Sequence, residues 1–306
     1  MAESIGLIER AAALLRQQEA SEPEPRSSPI EEAAFGGGGD GHGGNGGPGA
    51  PELMLDRGRL ASYGITIPSS ARSRTVEEFR LVKRNLMTQL SQGHVIADQR
   101  STRLIMVTSA RPGEGKTFIS LNLALAFASE RDVKALLVDV DTQHSSLQTI
   151  LGIPSELGIV DVLAGNHELS EVLIQTNMPN LMVLPSGRGG PHVPELFSSN
   201  QMALLMAEMT RRFADRYIII DTPPCMASSD AAALAPLVGQ IVFIVEAHHT
   251  QQVEIEASLS MLSACPRISL LLNKSDTMAG EHFGSYEYYY HSEGHESDVL
   301  RSGKLA

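Results

Sequence analysis

One stretch limits the possible folds more than any other. Leu104-Ile105-Met106-Val107 runs into Thr108-Ser109-Ala110-Arg111-Pro112-Gly113-Glu114-Gly115-Lys116-Thr117, and helical patterning follows. An apolar β-prone run, a glycine-punctuated turn ending in Lys-Thr and then a helix form the frame of a phosphate-binding loop, with Ala110 in place of the usual first glycine. Gly113 and Gly115 let the backbone fold so that several N–H groups point inward. Lys116 brings a cation to the β- and γ-phosphates, Thr117 offers a hydroxyl to Mg²⁺, and the helix adds its positive end. Ala110, Arg111, Pro112, Gly113, Glu114, Gly115, Lys116, Thr117 and Phe118 are therefore the expected nucleotide-binding residues.

Carboxylates at two strand ends support this reading. Leu136-Leu137-Val138-Asp139-Val140-Asp141 and Tyr217-Ile218-Ile219-Ile220-Asp221-Thr222-Pro223-Pro224 each end an apolar run in aspartate. Ligands of open α/β sheets bind outside the carboxyl ends of the strands. Mg²⁺ needs few protein oxygens when phosphates and water complete its shell, so one or two of Asp139, Asp141 and Asp221 suffice beside Thr117. Asn273, after another apolar run, is expected to contact the base.

Further apolar runs at 181–184, 241–245 and 268–272 alternate with helical patterns at 77–90, 117–129, 195–213, 229–237 and 253–262. Short continuous β-branched runs between helices predict an α/β fold, a doubly wound, mainly parallel sheet with helices on both faces. Residues 74–276 form this nucleotide-binding domain. Ahead of it, ten glycines between Gly36 and Gly49 follow a Pro/Glu/Ser run, so 18–73 reads as a disordered linker. Residues 1–17 pattern as an amphipathic docking helix, and 277–306 as a flexible, tyrosine-rich tail.

With 24 Lys+Arg against 36 Asp+Glu, the net charge of −12 argues against a nucleic-acid partner. Two cysteines in 306 residues exclude a disulfide scaffold, no run reaches membrane-spanning length, and no secretory leader is expected. A cytoplasmic protein is the expectation.

The ordered motifs SARPGEGKT, LLVDVD, LGIPSELGIVDVLAG, VLPSGRGGPHVPELFSS and YIIIDTPP resemble the catalytic domain of bacterial tyrosine kinases, the P-loop autokinases of exopolysaccharide systems. The N-terminal helix, the linker and EEFRLVKRNL resemble the subgroup of PEP-CTERM/exosortase-associated loci. The resemblance implies a ParA/MinD-like P-loop NTPase fold that uses ATP and Mg²⁺. It implies catalytic roles for Lys116, Asp139, Asp141 and Asp221, with Mg²⁺ held by Thr117, Asp139 and Asp221 and Asp139 the base toward a tyrosine hydroxyl. Tyr286, Tyr288, Tyr289 and Tyr290 become the autophosphorylation cluster, modified by a neighbouring subunit. Glu77, Arg80 and Lys83 match an oligomerisation helix, with Lys83 in place of arginine, and imply a homo-oligomer. A separate inner-membrane polysaccharide chain-length or co-polymerase protein is the implied partner, through which the chain would sit at the membrane's inner face. Gln143 stands where the family carries arginine, which leaves Arg111 as the candidate compensating cation.

Two other readings use the same loop. A ParA/MinD-like ATPase switch would use Arg111 in the place of that group's signature lysine, without phosphotyrosine. A GTPase would read guanine through Asn273-Lys274-Ser275-Asp276, but Asp221-Thr222-Pro223-Pro224 departs from the Asp-x-x-Gly that a GTPase carries.

Overall fold

A computed structural model describes residues 52–68, 73–92, 103–144, 146–153 and 157–275. The predicted docking helix, most of the predicted linker and the tyrosine cluster lie outside the described residues.

The central strands are β2 (Leu104–Ser109), β3 (Lys134–Asp139), β6 (Arg216–Asp221) and β7 (Gln240–Glu246). With β1 (Glu52–Leu53), β4 (Ile174–Thr176), β5 (Leu181–Leu184) and β8 (Ile268–Asn273) they form one sheet in the order β1-β4-β5-β3-β6-β2-β7-β8. All pairings are parallel except β4 with β5. Because β6 lies between β2 and β3, the ends of three separate runs meet at one edge.

Alternate side chains of these buried strands feed two cores. Leu104, Met106, Leu136, Val138, Ile218 and Ile220 face one side; Ile105, Val107, Ala135, Leu137 and Ile219 face the other. The second face is covered by α1 (Arg57–Ser62), α2 (Arg74–Gln92), α3 (Lys116–Ala128) and α4 (Ser146–Leu151). The first is covered by α5 (Ile159–Leu163), α6 (Leu169–Val172), α7 (Val193–Phe197), α8 (Asn200–Arg212), α9 (Asp230–Leu234) and α10 (Gln252–Met261). The expected double winding is present.

Three expectations are corrected. Residues 52–68, placed in the disordered linker, form β1 and α1. Leu55, Leu60 and Ile65 are buried, and Arg59 donates to the carbonyls of Ile150 and Thr149 at 3.1 and 2.5 Å. The predicted 195–213 helix is two helices. Ser198 and Ser199 turn their hydroxyls onto the carbonyls of Pro194 and Leu196, the local competition that ends a helix. Lys83, expected to face a neighbouring subunit, points into its own domain. It is 5% exposed, donates to the Ala126 carbonyl at 3.3 Å and pairs with Glu130. Six residues of helix rotate by about 600°, which carries Lys83 away from Glu77 and onto the stripe of Val76, Phe79 and Leu86. Glu77 and Arg80 remain on the surface, paired with each other.

Candidate nucleotide and phosphoryl-transfer site

The loop from Ala110 to Gly115 joins β2 to α3 and has the backbone its glycines predict. Gly113 lies at φ +82° and Gly115, the N-cap of α3, at φ +99°. A Cβ on Gly115 would stand 2.2 Å from Asn273 Nδ2, so glycine is required there by approach as well as conformation.

Glu114 anchors the loop from below. Its carboxylate is 2% exposed, accepts the Arg111 N–H at 2.7 Å through Oε2, and takes the Thr250 hydroxyl on Oε1. Its carbonyl accepts from Asn273 Nδ2 at 2.8 Å, while Lys274 Nζ donates to the Gly113 carbonyl at 2.8 Å and Glu246 Oε1 at 3.0 Å. Asn273 is thus a brace of the loop. One of its two amide N–H donors is engaged there; the other and Oδ1 are left for the base contact expected of Asn273.

The aspartate loop after β6 is knitted to the same strand. Thr222 Oγ1 donates to the Val107 carbonyl at 2.9 Å, Thr108 Oγ1 to the Pro223 carbonyl at 3.0 Å, and the Cys225 N–H to the Ser109 carbonyl at 2.8 Å. Asp221 is paired in register with Val107 on one side and Asp139 on the other.

Lys116 is 6% exposed. Burial pulls its ammonium below the ordinary pKa, while Asp221, Asp141 and Glu114 act to keep it charged. Asp139 and Asp221 are each 1% exposed. Burial, reinforced by the Asp221 charge, holds Asp139 well above the carboxylate range against the Asp141 N–H that donates to its Oδ1 at 3.0 Å. Burial likewise pushes Asp221 up to about 6, opposed by the Thr117 hydroxyl, the Lys116 charge and Ser120, whose Oγ donates to Oδ1 at 3.1 Å.

In each of these two carboxylates, Oδ2 is buried without a hydrogen-bond partner among the described residues. Two desolvated carboxylates with unmet oxygens beside a threonine hydroxyl suit a hard divalent cation. No group of three or more His, Cys, Asp or Glu among the described residues forms a metal site. A cation at Thr117, Asp139 and Asp221 would therefore draw its remaining ligands from phosphate and water.

Other expected residues fall at different distances from this centre. Asp141 is buried at the rim, accepting the His144 N–H at 3.1 Å, with His144 Nδ1 at 3.5 Å. Gln143 is exposed. Arg111, the candidate compensating cation, is committed to Glu254 on α10 through Nε at 2.6 Å and Nη2 at 2.5 Å. The Phe118 ring turns away toward Phe79, 6.0 Å between centroids. Cys225 is buried and its thiol pushed up to about 11, which removes it as a nucleophile.

Sequence reasoning missed Ser120, Thr250, Glu254 and Asp230. Ser120 lies three residues beyond Thr117 on a helix, a spacing that placed it on the same face. Asp230, 3% exposed with Oδ1 unpartnered among the described residues, has its pKa raised by burial and by the Asp141 charge. In sequence it reads as an ordinary acidic start to a helix.

The chain is similar to known proteins. The AAA domain family matches residues 102–254. The tyrosine-protein kinase CpsD of Streptococcus agalactiae is 31% identical over 71% of this chain and 90% of its own length. Among solved structures, the VpsO kinase domain is 30% identical at TM-score 0.54, covering 67% of this chain and 100% of that one. The chimerical protein CapA2B2 is 25% identical at TM-score 0.60, covering 74% of this chain and 96% of that one.

Proposed function

Since the chain belongs to the bacterial P-loop tyrosine-protein kinases, we propose that it transfers the γ-phosphoryl group of Mg-ATP to tyrosines of its own C-terminal cluster, Tyr286, Tyr288, Tyr289 and Tyr290, on a neighbouring copy. The observation that carries this reading is the paired Asp139 and Asp221 facing a braced phosphate loop, each with an unmet carboxylate oxygen.

The backbone N–H groups from Gly113 to Thr117 cradle the phosphates, and Lys116 neutralises charge on the β- and γ-phosphates. Thr117, Asp139 and Asp221 would hold the metal, and Ser120 fixes the Asp221 carboxylate. Bound Mg²⁺ supplies the positive charge that offsets the phosphate oxygens. Asp139 takes the proton of the attacking tyrosine hydroxyl as its oxygen bonds to the γ-phosphorus. The bond to the β–γ bridging oxygen breaks, and ADP leaves. Asp141 supports the water and metal around the pair.

The resemblance extends the proposal to a homo-oligomer meeting through Glu77 and Arg80, with Lys83 excluded by its internal pairing. It also extends to control of exopolysaccharide length or export beside a separate inner-membrane partner. No helix among the described residues is long and apolar enough to cross a membrane, consistent with a partner supplying the span.

The deciding experiment incubates purified full-length protein with Mg-ATP and maps phosphotyrosine by mass spectrometry, with Lys116→Ala and a truncation after Asp276 alongside. Lys116-dependent phosphate on Tyr286, Tyr288, Tyr289 or Tyr290 is expected. ATP hydrolysis with no phosphotyrosine, even with a candidate membrane partner added, would favour an ATPase switch instead.

A further inference from the structure

The strand that carries Asp139 has a second neighbour besides β6. β3 also pairs with β5, where Val138 is in register with Leu184. Asp139 and Ser186 follow that pair by one and two residues, so both leave the sheet at the same end, side by side. The backbone that carries Ser186 is fixed by the start of α5. The Ile159 N–H donates to the Pro185 carbonyl at 2.9 Å and the Val160 N–H to the Ser186 carbonyl at 3.2 Å. A Cβ on Gly158 would stand 2.2 Å from the Pro185 carbonyl oxygen, so glycine is what lets the two segments close.

The Ser186 side chain is less well served. It is 1% exposed, yet its hydroxyl lies 3.5 Å from its acceptor, the Gly187 carbonyl. Gln148 Nε2 on α4 donates to the same hydroxyl at 3.4 Å, and both contacts exceed the usual hydrogen-bond range. Asp139 has the complementary deficit. Its Oδ1 accepts the Asp141 N–H at 3.0 Å, while Oδ2 is buried with no partner among the described residues. Burial raises the Asp139 pKa, and the Ser186 hydroxyl is among the groups opposing that rise, so the two already interact.

A buried hydroxyl without a good acceptor and a buried carboxylate oxygen without a donor are both costly. Turning one O–H bond removes both deficits, and a hydroxyl rotates to suit its surroundings. A hydrogen bond to an ionised carboxylate is also stronger than one to a neutral carbonyl such as that of Gly187.

We propose that Ser186 is a positioning residue for phosphoryl transfer, donating its hydroxyl to Asp139 Oδ2. With the Asp141 N–H on Oδ1, each oxygen then holds one donor, and rotation of the carboxylate about its Cβ–Cγ bond is blocked. Each oxygen keeps acceptor capacity for Mg²⁺ or for the proton of the tyrosine hydroxyl. Outer hydrogen bonds of this kind orient carboxylates that bind metals. This role rests on that of Asp139 in the proposed function, and Ser186 aims it.

The test compares full-length wild type, Ser186→Ala and Ser186→Thr, with folding checked by thermal melting. Two quantities are read: kcat for phosphotyrosine formation, and the Mg²⁺ concentration that half-saturates binding of a fluorescent ADP analogue. Ser186→Ala should lower kcat about tenfold and raise that Mg²⁺ concentration about tenfold. Metal-free binding of the analogue should stay at the wild-type value, because Lys116 and the phosphate loop are untouched. Ser186→Thr keeps the hydroxyl and should restore most of both losses. A wild-type value for Ser186→Ala in either readout would overturn the proposal. So would an equal fall in metal-free binding, the mark of a general loosening, or a folded Ser186→Thr no better than Ser186→Ala. If Ser186→Thr does not fold, the Ser186→Ala readouts decide alone. If the wild type forms no phosphotyrosine, the kinase reading fails and the Mg²⁺ titration alone judges Ser186.

Discussion

Asp139 and Asp221 are register partners on adjacent parallel strands, both 1% exposed, each with Oδ2 unsatisfied among the described residues. Two ionised carboxylates side by side in a desolvated strand pair repel each other. The ligand-free site is therefore electrostatically strained, and cationic ligands relieve the strain.

The strain has a pH signature. Asp221 is raised from 3.8 to about 6 on folding, so its proton is held more tightly in the folded state. Its contribution to stability is full below about pH 4 and is lost as pH rises through about 6. Asp221→Asn should abolish phosphotransfer yet stabilise the ligand-free protein at pH 8, by on the order of 1–3 kcal/mol, with the gain vanishing near pH 4. Urea unfolding at both pH values without nucleotide or metal measures it; a gap that fails to widen with pH contradicts the account.

Gly115→Ala places a Cβ on a backbone at φ +99° and into the Asn273 amide. It should cost about 1–3 kcal/mol of stability and weaken nucleotide binding at least about tenfold. Pairing it with Asn273→Ala should recover only part of the loss, because the positive φ remains. Titration with a fluorescent ADP analogue reports both effects.

The brace under the loop can be removed without touching the phosphate-binding residues. Thr250→Val deprives the buried Glu114 carboxylate of a hydroxyl donor, at a cost of about 1–3 kcal/mol. A looser loop should raise the KM for ATP more than it lowers kcat. If KM stays at the wild-type value, the brace is not what orders the loop.

Lys83 and Glu130 differ in exposure, and so in what each loses. Glu130→Ala leaves a buried ammonium with only the Ala126 carbonyl, costing about 1–3 kcal/mol. Lys83→Met exchanges a buried cation for an apolar chain and leaves Glu130 in solvent, so stability should change by less than about 1 kcal/mol. Light scattering should show the same assembly size for Lys83→Met as for wild type and a smaller one for Glu77→Ala/Arg80→Ala. A smaller assembly from Lys83→Met would restore Lys83 to the interface.

Much of this was legible because it is local. The β2–loop–α3 unit, the strand-end aspartates and the central strands each carry their signal within about ten residues. The stripe of Val76, Phe79, Lys83 and Leu86 was also readable, and it points Lys83 inward; the motif match drew attention to a different spacing. By contrast, β1 has two residues and β4 three, too short for any periodicity to register. Their order comes from pairing with strands far away in the chain. The same holds for Leu55, Leu60 and Ile65, which look like scattered apolar residues after a glycine tract until the sheet and α3 cover them.

The sequence by itself determined the elements, the phosphate loop and the residue types of its chemistry, because backbone propensity and glycine geometry act over a few neighbouring residues. Only the tertiary structure decided that β6 inserts between β2 and β3, pairs Asp221 with Asp139 and buries both, leaving one carboxylate oxygen of each unmet among the described residues. It also decided that Asn273, Thr250 and Glu254 brace the loop. Burial, strand neighbours and unmet hydrogen bonds are properties of what distant segments bring together, and no local pattern encodes them.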